Sequence, residues 1–481
     1  MKFETSHPAQ AREQGERSTG PAPQLRWPSD WTLLTAYGLA LVAYALVTPL
    51  QVPELEAVGW SVRFQWNDFW YWPALGIDPS PIGNLIELPF VHFLGVSRLA
   101  TRLPGILLAC GSAFLILRLA NRVVPKRRHG VLLLFVTLPL QLMILTASVQ
   151  YEAATFLSIA AMLAFFAVLD HPVFKTAIAL ALLTGVTLFT DHHAAVPIFG
   201  AVLFLLRFSP RAQDRRALWY ALGACVVAAI PYVPYYIWSN RQINRHWLAD
   251  PGIPTGAFPP EMTALEMVLF GAAIILVAGA LVGGYASFQM SQGRIHRRIS
   301  LFCLLGSVVL TLLFLIGPNY YFVYPVNPRD LMFAAPQTIL IFTATIHWVL
   351  RKDVTGPARV AAIAASLVVL IAFLAADLEL IAAPKDNFAL ETKYVAPELK
   401  GDSCVVFTSE FFSRPLFLLI QPELQSRECV NFFHHRIVLA SHPYVRPDQQ
   451  QNAESFFRGL NFRETKRIRA GGGEIVVYQE K

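Results

Sequence analysis

Apolar residues run in stretches of about twenty, separated by short polar segments, from Trp31 almost to residue 380. The first stretch, WTLLTAYGLALVAYALVTPL from Trp31 to Leu50, can cross roughly 30 Å of hydrocarbon as a helix. Others centre near residues 113, 139, 161, 182, 201, 228, 275, 308, 341 and 368, which predicts about eleven spans. The segment at 51–103 is too long for a connector and half apolar (PIGNLIELPFVHFLGVSRLATRLP), so short helices lying along the membrane surface are expected there. Beyond residue 383 the pattern changes. GDSCVVFTSEFF opens as a strand, RECVNFF and GEIVVYQ read as two more, and NAESFFRGLNF as an amphipathic helix. The predicted fold class is a polytopic α-helical membrane protein over 31–380 with a small C-terminal α/β domain over 383–481.

Composition sharpens this. Of 481 residues, 55% are hydrophobic and 15% charged, where a soluble chain carries about 25% charged. Residues 1–30 are polar, rich in Pro and Gly, and lack a signal-peptide core, as in a disordered tail. The formal charge of +7 is no nucleic-acid signal, because the cations collect in alternate loops. One set holds Arg122, Lys126, Arg127 and Arg128, then Arg207, Arg211, Arg215 and Arg216. It continues with Arg294, Arg297 and Arg298, then Arg351 and Lys352. The positive-inside rule puts these and the N-terminus in the cytoplasm. The loops at 51–103, 148–153, 190–194, 239–262 and 317–329 then face outward, and an odd number of spans carries the C-terminal domain outside too. No Walker A, Rossmann glycine, HExxH or paired CxxC motif is present, so an ATP-driven pump is not expected.

Candidate chemistry lies in the outward loops. FQWNDFWYWP places one carboxylate, Asp68, among six aromatic rings. It reads either as a helix N-cap inside an aromatic belt or as a general base whose partial burial raises its proton affinity. Arg329, ahead of LMFAAPQTILIFTATI, suits a phosphate gripped bidentately or a snorkelling anchor beside interface tyrosines, and Arg241 and Arg245 carry the same two readings. His192 and His193 follow Asp191 at a helix end, as polar end residues or as ligands of a divalent metal, the one cofactor left open. Tyr151 and Glu152 form a polar break between apolar runs, and Glu87 reads as a supporting acid or a solvated face. Cys404 and Cys429 fall in two predicted strands, as a disulfide or as two buried thiols.

Several of these segments occur in one order in a known group. "ND" at Asn67–Asp68, DPSPIGNLI at Asp78–Ile86 and GVSRLATRLPG at Gly95–Gly105 are followed by TDHHAAVPIFG at Thr190–Gly200 and NPRDLMFAAP at Asn327–Pro336. Over roughly residues 30–380 the chain resembles the GT-C superfamily of polyprenyl-phosphate-sugar-dependent glycosyltransferases, which includes bacterial protein mannosyltransferases and aminoarabinose transferases. It differs in having Asn-Asp for an Asp-Glu pair, Ser80 for a second proline, and no arginine near SVQYEAATF.

The resemblance implies an enzyme of the bacterial inner membrane that moves a hexose or pentose from a polyprenyl-phosphate donor to a lipid, glycan or protein acceptor, with inversion. It implies Asp68 as the base and Arg329, Arg241 and Arg245 as phosphate ligands. Trp66, Asn67, Trp70, Tyr320 and Tyr321 would contact sugar or acceptor. Membrane lipids are the other implied partner, and nucleic acid is not one. Two rivals stand beside this reading: a transporter or flippase of a lipid-linked solute, and an inactive scaffold that has lost the second acid. The transporter reading predicts related halves, and no internal repeat is visible.

Overall fold

The computed structural model describes residues 29–50, 54, 58, 81–146, 149–206, 212–247, 271–281, 295–322, 332–350, 356–382, 388–399, 401–407, 426–427, 429, 436–441, 447–470 and 473–481. The helices are α1 (Asp30–Val47), α2 (Pro81–Leu94), α3 (Arg98–Val123), α4 (Arg128–Val136), α5 (Leu140–Leu145), α6 (Val149–Asp170), α7 (Phe174–Thr190) and α8 (His192–Leu205). They continue with α9 (Ala212–Trp247), α10 (Gly271–Leu281), α11 (Ile295–Phe322), α12 (Ala335–Val349), α13 (Gly356–Ala382) and α14 (Phe388–Glu398).

Among the described residues, five helices are long and apolar enough to cross a membrane: Asp30–Val47, Arg98–Val123, Val149–Asp170, Arg215–Trp238 and Gly356–Ala382. Four further expected spans coincide with shorter apolar helices, at Phe174–Thr190, His192–Leu205, Gly271–Leu281 and Ile299–Phe314. The span expected near 139 is two short helices, α4 and α5, because the chain turns at Thr137–Pro139 and a proline inside one helix would remove a backbone hydrogen bond. Two expected loops are helical where they join a span. Residues 98–103 are the first turns of α3, started by Ser97, whose hydroxyl accepts the Ala100 N–H at 3.2 Å. Helix α9 runs through Pro231 and Pro234 to Trp247, so Arg241 stands on helix.

The core is the seam where α1, α3, α6, α8, α11 and α12 meet, filled by side chains such as Leu41, Ile116, Phe165, Val202, Leu304 and Phe342. Helices α8 and α11 meet backbone to backbone: a Cβ on Gly200 would lie 2.6 Å from the Gly306 carbonyl oxygen. Small residues permit that approach, and dispersion along the closely packed backbones holds it.

The helices alternate in direction, giving the bundle two chemically distinct ends. At the basic end, Asp30 pairs with Arg128 and His129, and Arg122 binds Asp170 and stacks on Phe166 with 4.7 Å from guanidinium to ring centre. At the opposite end lie the start of α3, the start of α6 and the α7–α8 corner, where the Gln150 amide donates to the Thr190 carbonyl at 3.1 Å. The described parts of the 51–103, 148–153 and 190–194 loops therefore contribute to one end.

The C-terminal segment forms a four-stranded sheet of β1 (Ser403–Phe407), β2 (Arg436–Ser441), β3 (Phe462–Ala470) and β4 (Gly473–Glu480), in the order β1-β2-β4-β3. Strand β2 is parallel to β1, and the other pairs are antiparallel. Helix α15 (Pro447–Gly459) packs Phe457 against Phe462 and Tyr478. Of the expected strand RECVNFF only Arg427, in a short turn, and Cys429 are described, the rest lying outside the described residues; the strand paired with β1 is RIVLAS. Its residues Ile437–Ala440 are all buried, so it carries no alternation to read. Cys404 and Cys429 are joined by a disulfide with Cα atoms 5.0 Å apart. The Cys429 N–H donates to the Val405 carbonyl at 3.1 Å.

Candidate functional site

The end of the bundle opposite the basic one holds a buried polar cluster. Its centre is Arg102, one turn into α3 and 2% exposed. The guanidinium donates to both Glu54 oxygens, from Nε at 2.5 Å and Nη2 at 2.7 Å. Nη1 donates to the carbonyls of Ala45 and Thr48 at 3.0 and 2.8 Å, and Nη2 to Pro49 at 2.8 Å. All five N–H donors are used. Three of the acceptors are carbonyls at or just beyond the C-terminus of α1, where partial negative charge collects. Arg98 adds a bond to the Leu46 carbonyl at 3.1 Å. The two arginines of GVSRLATRLPG thus tie α1 to α3 and fix the start of the following loop.

Glu87 of α2 and Glu152 of α6 line the same cavity, with Thr101, Gly105 and Leu145. Its volume is about 10 Å³, room for a single water. Glu87 is 2% and Glu152 1% exposed, and neither carboxylate oxygen of Glu152 has a hydrogen-bond partner among the described residues. Burying a carboxyl without a partner costs on the order of 1–3 kcal/mol or more, and such costs concentrate at functional sites. Beneath the cluster, the Tyr37 hydroxyl of α1 donates to Gln141 of α5 at 3.0 Å.

Beside it, Asp191 caps α8 by accepting the His193 N–H at 2.9 Å, and lies 3.0 Å from His193 Nδ1. The Asp191, His192 and His193 ligand atoms all lie within 4.8 Å of one another. The group starts α8, Asp191 capping it through Oδ1, and its ligand atoms are also close enough together to hold one divalent ion. Glu87 belongs to the cavity and is no part of this group. The His192 ring sits 5.3 Å from Tyr236, and Tyr232 packs edge-on to Phe189 at 5.4 Å. Tyr232, Tyr235, Tyr236 and Trp238 give α9 an aromatic face, and Arg241, exposed, follows on the same helix.

The expected base Asp68 and its neighbours Trp66, Asn67 and Trp70 lie outside the described residues, as does Arg329. Arg245 is on α9 and Tyr320 and Tyr321 on α11, with side chains outside the described residues. Reading by sequence singled out Glu87 and Glu152 but missed Glu54, whose partner is 48 residues away. It also missed the aromatic face of α9, which was legible as PYVPYYIW, with rings three and four positions apart.

The bundle of apolar helices with a polar cluster buried at one end and a small terminal sheet is a fold that solved structures share. Solved structures sharing it include crystal structures of ArnT from Cupriavidus metallidurans, one apo and one bound to undecaprenyl phosphate. Their TM-scores are 0.55 and 0.54 at 11% and 12% identity. Each comparison covers 93% of this chain and 97% of ArnT. No protein-family model matches the chain, and no curated protein does.

Proposed function

We propose that this chain is an integral membrane glycosyltransferase that takes a sugar from a polyprenyl-phosphate donor and passes it to an extracytoplasmic acceptor. The observation that carries the reading is the fold shared with ArnT over nearly the whole chain, one ArnT structure holding undecaprenyl phosphate. The buried acids at one end of the bundle and the aromatic face beside them support it.

In this reading Asp68 takes the acceptor's proton while the acceptor attacks the anomeric carbon from the face opposite the phosphate, inverting configuration. Arg329, Arg241 and Arg245 stabilise the charge on the departing polyprenyl phosphate. The rings of Trp66, Trp70, Tyr320 and Tyr321 stack on sugar faces, Asn67 hydrogen-bonds the sugar or acceptor, and Glu152 accepts a hydrogen bond from a water that its cavity can hold, behind the substrate site. The enzyme sits in the bacterial inner membrane with its N-terminus cytoplasmic and its C-terminal domain periplasmic.

The test is purified full chain in nanodiscs, offered a panel of polyprenyl-phosphate sugars with lipid, glycan and peptide acceptors. Release of polyprenyl phosphate with matching sugar on an acceptor is the expected result. Movement of the intact donor between leaflets without transfer would replace the enzyme by a transporter.

A further inference from the structure

At the basic end, a groove of about 250 Å³ opens between α4, α12 and α13. Leu133 and Leu134 of α4, Phe342 and Ile346 of α12, and Leu367 and Leu370 of α13 make its walls apolar. At its rim stand Lys126 and Arg127, both exposed, in the short turn Pro125–Arg127. Asp30 is engaged with the neighbouring Arg128 and His129. Among the described residues no carboxylate pairs with Lys126 or Arg127.

Two features point to a ligand. The Thr343 hydroxyl, on a residue 7% exposed that lines the groove, has no hydrogen-bond partner among the described residues. Gly130, one turn into α4, leaves the floor open: a Cβ there meets nothing nearer than Thr343 Cγ2 at 3.9 Å. The site therefore offers apolar walls, one unmet hydroxyl donor in its lining and two exposed cations at its edge. We infer that this groove binds an anionic phospholipid of the leaflet at the basic end, with an acyl chain between α12 and α13. The Thr343 hydroxyl donates to an ester carbonyl, and Lys126 and Arg127 hold the phosphate. A zwitterionic lipid fills the walls equally well but carries no net charge for the two cations. The positive-inside pattern makes this the cytoplasmic leaflet, away from the end where the sugar chemistry is proposed. The inference does not depend on that chemistry.

The experiment uses the full chain in detergent, stripped of lipid and offered phosphatidylglycerol or phosphatidylcholine with the same acyl chains. Retained lipid is counted by native mass spectrometry. One phosphatidylglycerol per chain is expected, preferred about thirty-fold, which is roughly 2 kcal/mol at about 1 kcal/mol per basic side chain. Lys126→Gln with Arg127→Gln removes the preference while both lipids still bind weakly. Gly130→Leu fills the groove and removes both, and it raises helix propensity rather than lowering it. Equal retention of the two lipids by the wild-type chain overturns the inference. So does undiminished phosphatidylglycerol binding by Gly130→Leu. Displacement of phosphatidylglycerol by polyprenyl phosphate, one for one, also overturns it and gives the groove to the donor's tail.

Discussion

Glu54 and Arg102 meet across 48 residues of sequence in a two-pronged ion pair, with N–O distances of 2.5 and 2.7 Å and both side chains almost wholly buried. The pair does more than neutralise charge. The same guanidinium holds the carbonyls that end α1, so one side chain joins two helices and the loop between them.

Removing one partner should therefore be severe. Arg102→Ala leaves a buried carboxylate and three carbonyls unmet, and a loss of about 3–5 kcal/mol is expected. Arg102→Lys should recover little, because an ammonium cannot reproduce the fork. Thermal unfolding in detergent reads both variants. A wild-type midpoint for Arg102→Lys would show that charge alone suffices.

Glu152 is expected to behave in the opposite sense. Its two oxygens have no partner among the described residues, so Glu152→Gln should leave stability unchanged or raise it by about 1–2 kcal/mol. Donor turnover should fall about ten-fold, as for a buried group that positions the site from behind it. Unchanged turnover in the well-folded variant would make Glu152 a structural residue.

Packing at the α8–α11 crossing leaves no room. Gly200→Ala places a methyl 2.6 Å from the Gly306 carbonyl, and a loss of about 1–3 kcal/mol is expected as the helices separate. At Gly223, where a Cβ meets nothing within 4 Å, Gly→Ala should instead stabilise by about 0.5–1 kcal/mol. Comparing the two melting curves separates close approach from helix propensity.

The C-terminal sheet should loosen in acid. Glu398 of α14 accepts a hydrogen bond from Lys466 Nζ at 2.5 Å and another from Arg436, which hold its carboxyl below the ordinary glutamate range. The stability gained is complete above the unfolded value of about 4.3 and is lost as pH falls through the lower folded value. Hydrogen exchange of α14, β2 and β3 in the full chain should rise below about pH 4, and Glu398→Gln should flatten that rise. A variant with the wild-type pH profile would assign the effect elsewhere, to the acids around Arg467.

How far the sequence led depended on the range of each interaction. Apolar runs located helices well, since burial in hydrocarbon is decided within one segment. Breaks inside them were harder. Pro139 split a run, whereas Pro231 and Pro234 did not stop α9, whose rings pack on Phe189 and His192. Strand β3, FRETKRIRA, is not among the expected strands, being mostly charged; it is an edge strand whose charges pair across and along the sheet, as Arg467 does with Glu474 and Glu464. GVSRLATRLPG stood out as a motif, but its role became visible only with Glu54 and the end of α1 in place.

The proposed chemistry rests most directly on Asp68, and the decisive measurement is donor turnover by wild type and Asp68→Asn side by side in nanodiscs. An inverting transferase with Asp68 as base gives sugar transfer in the wild type and a loss of about a thousand-fold or more in the variant, with donor still bound and melting unchanged. Equal turnover in the two proteins would remove Asp68 from the chemistry and return it to capping a helix.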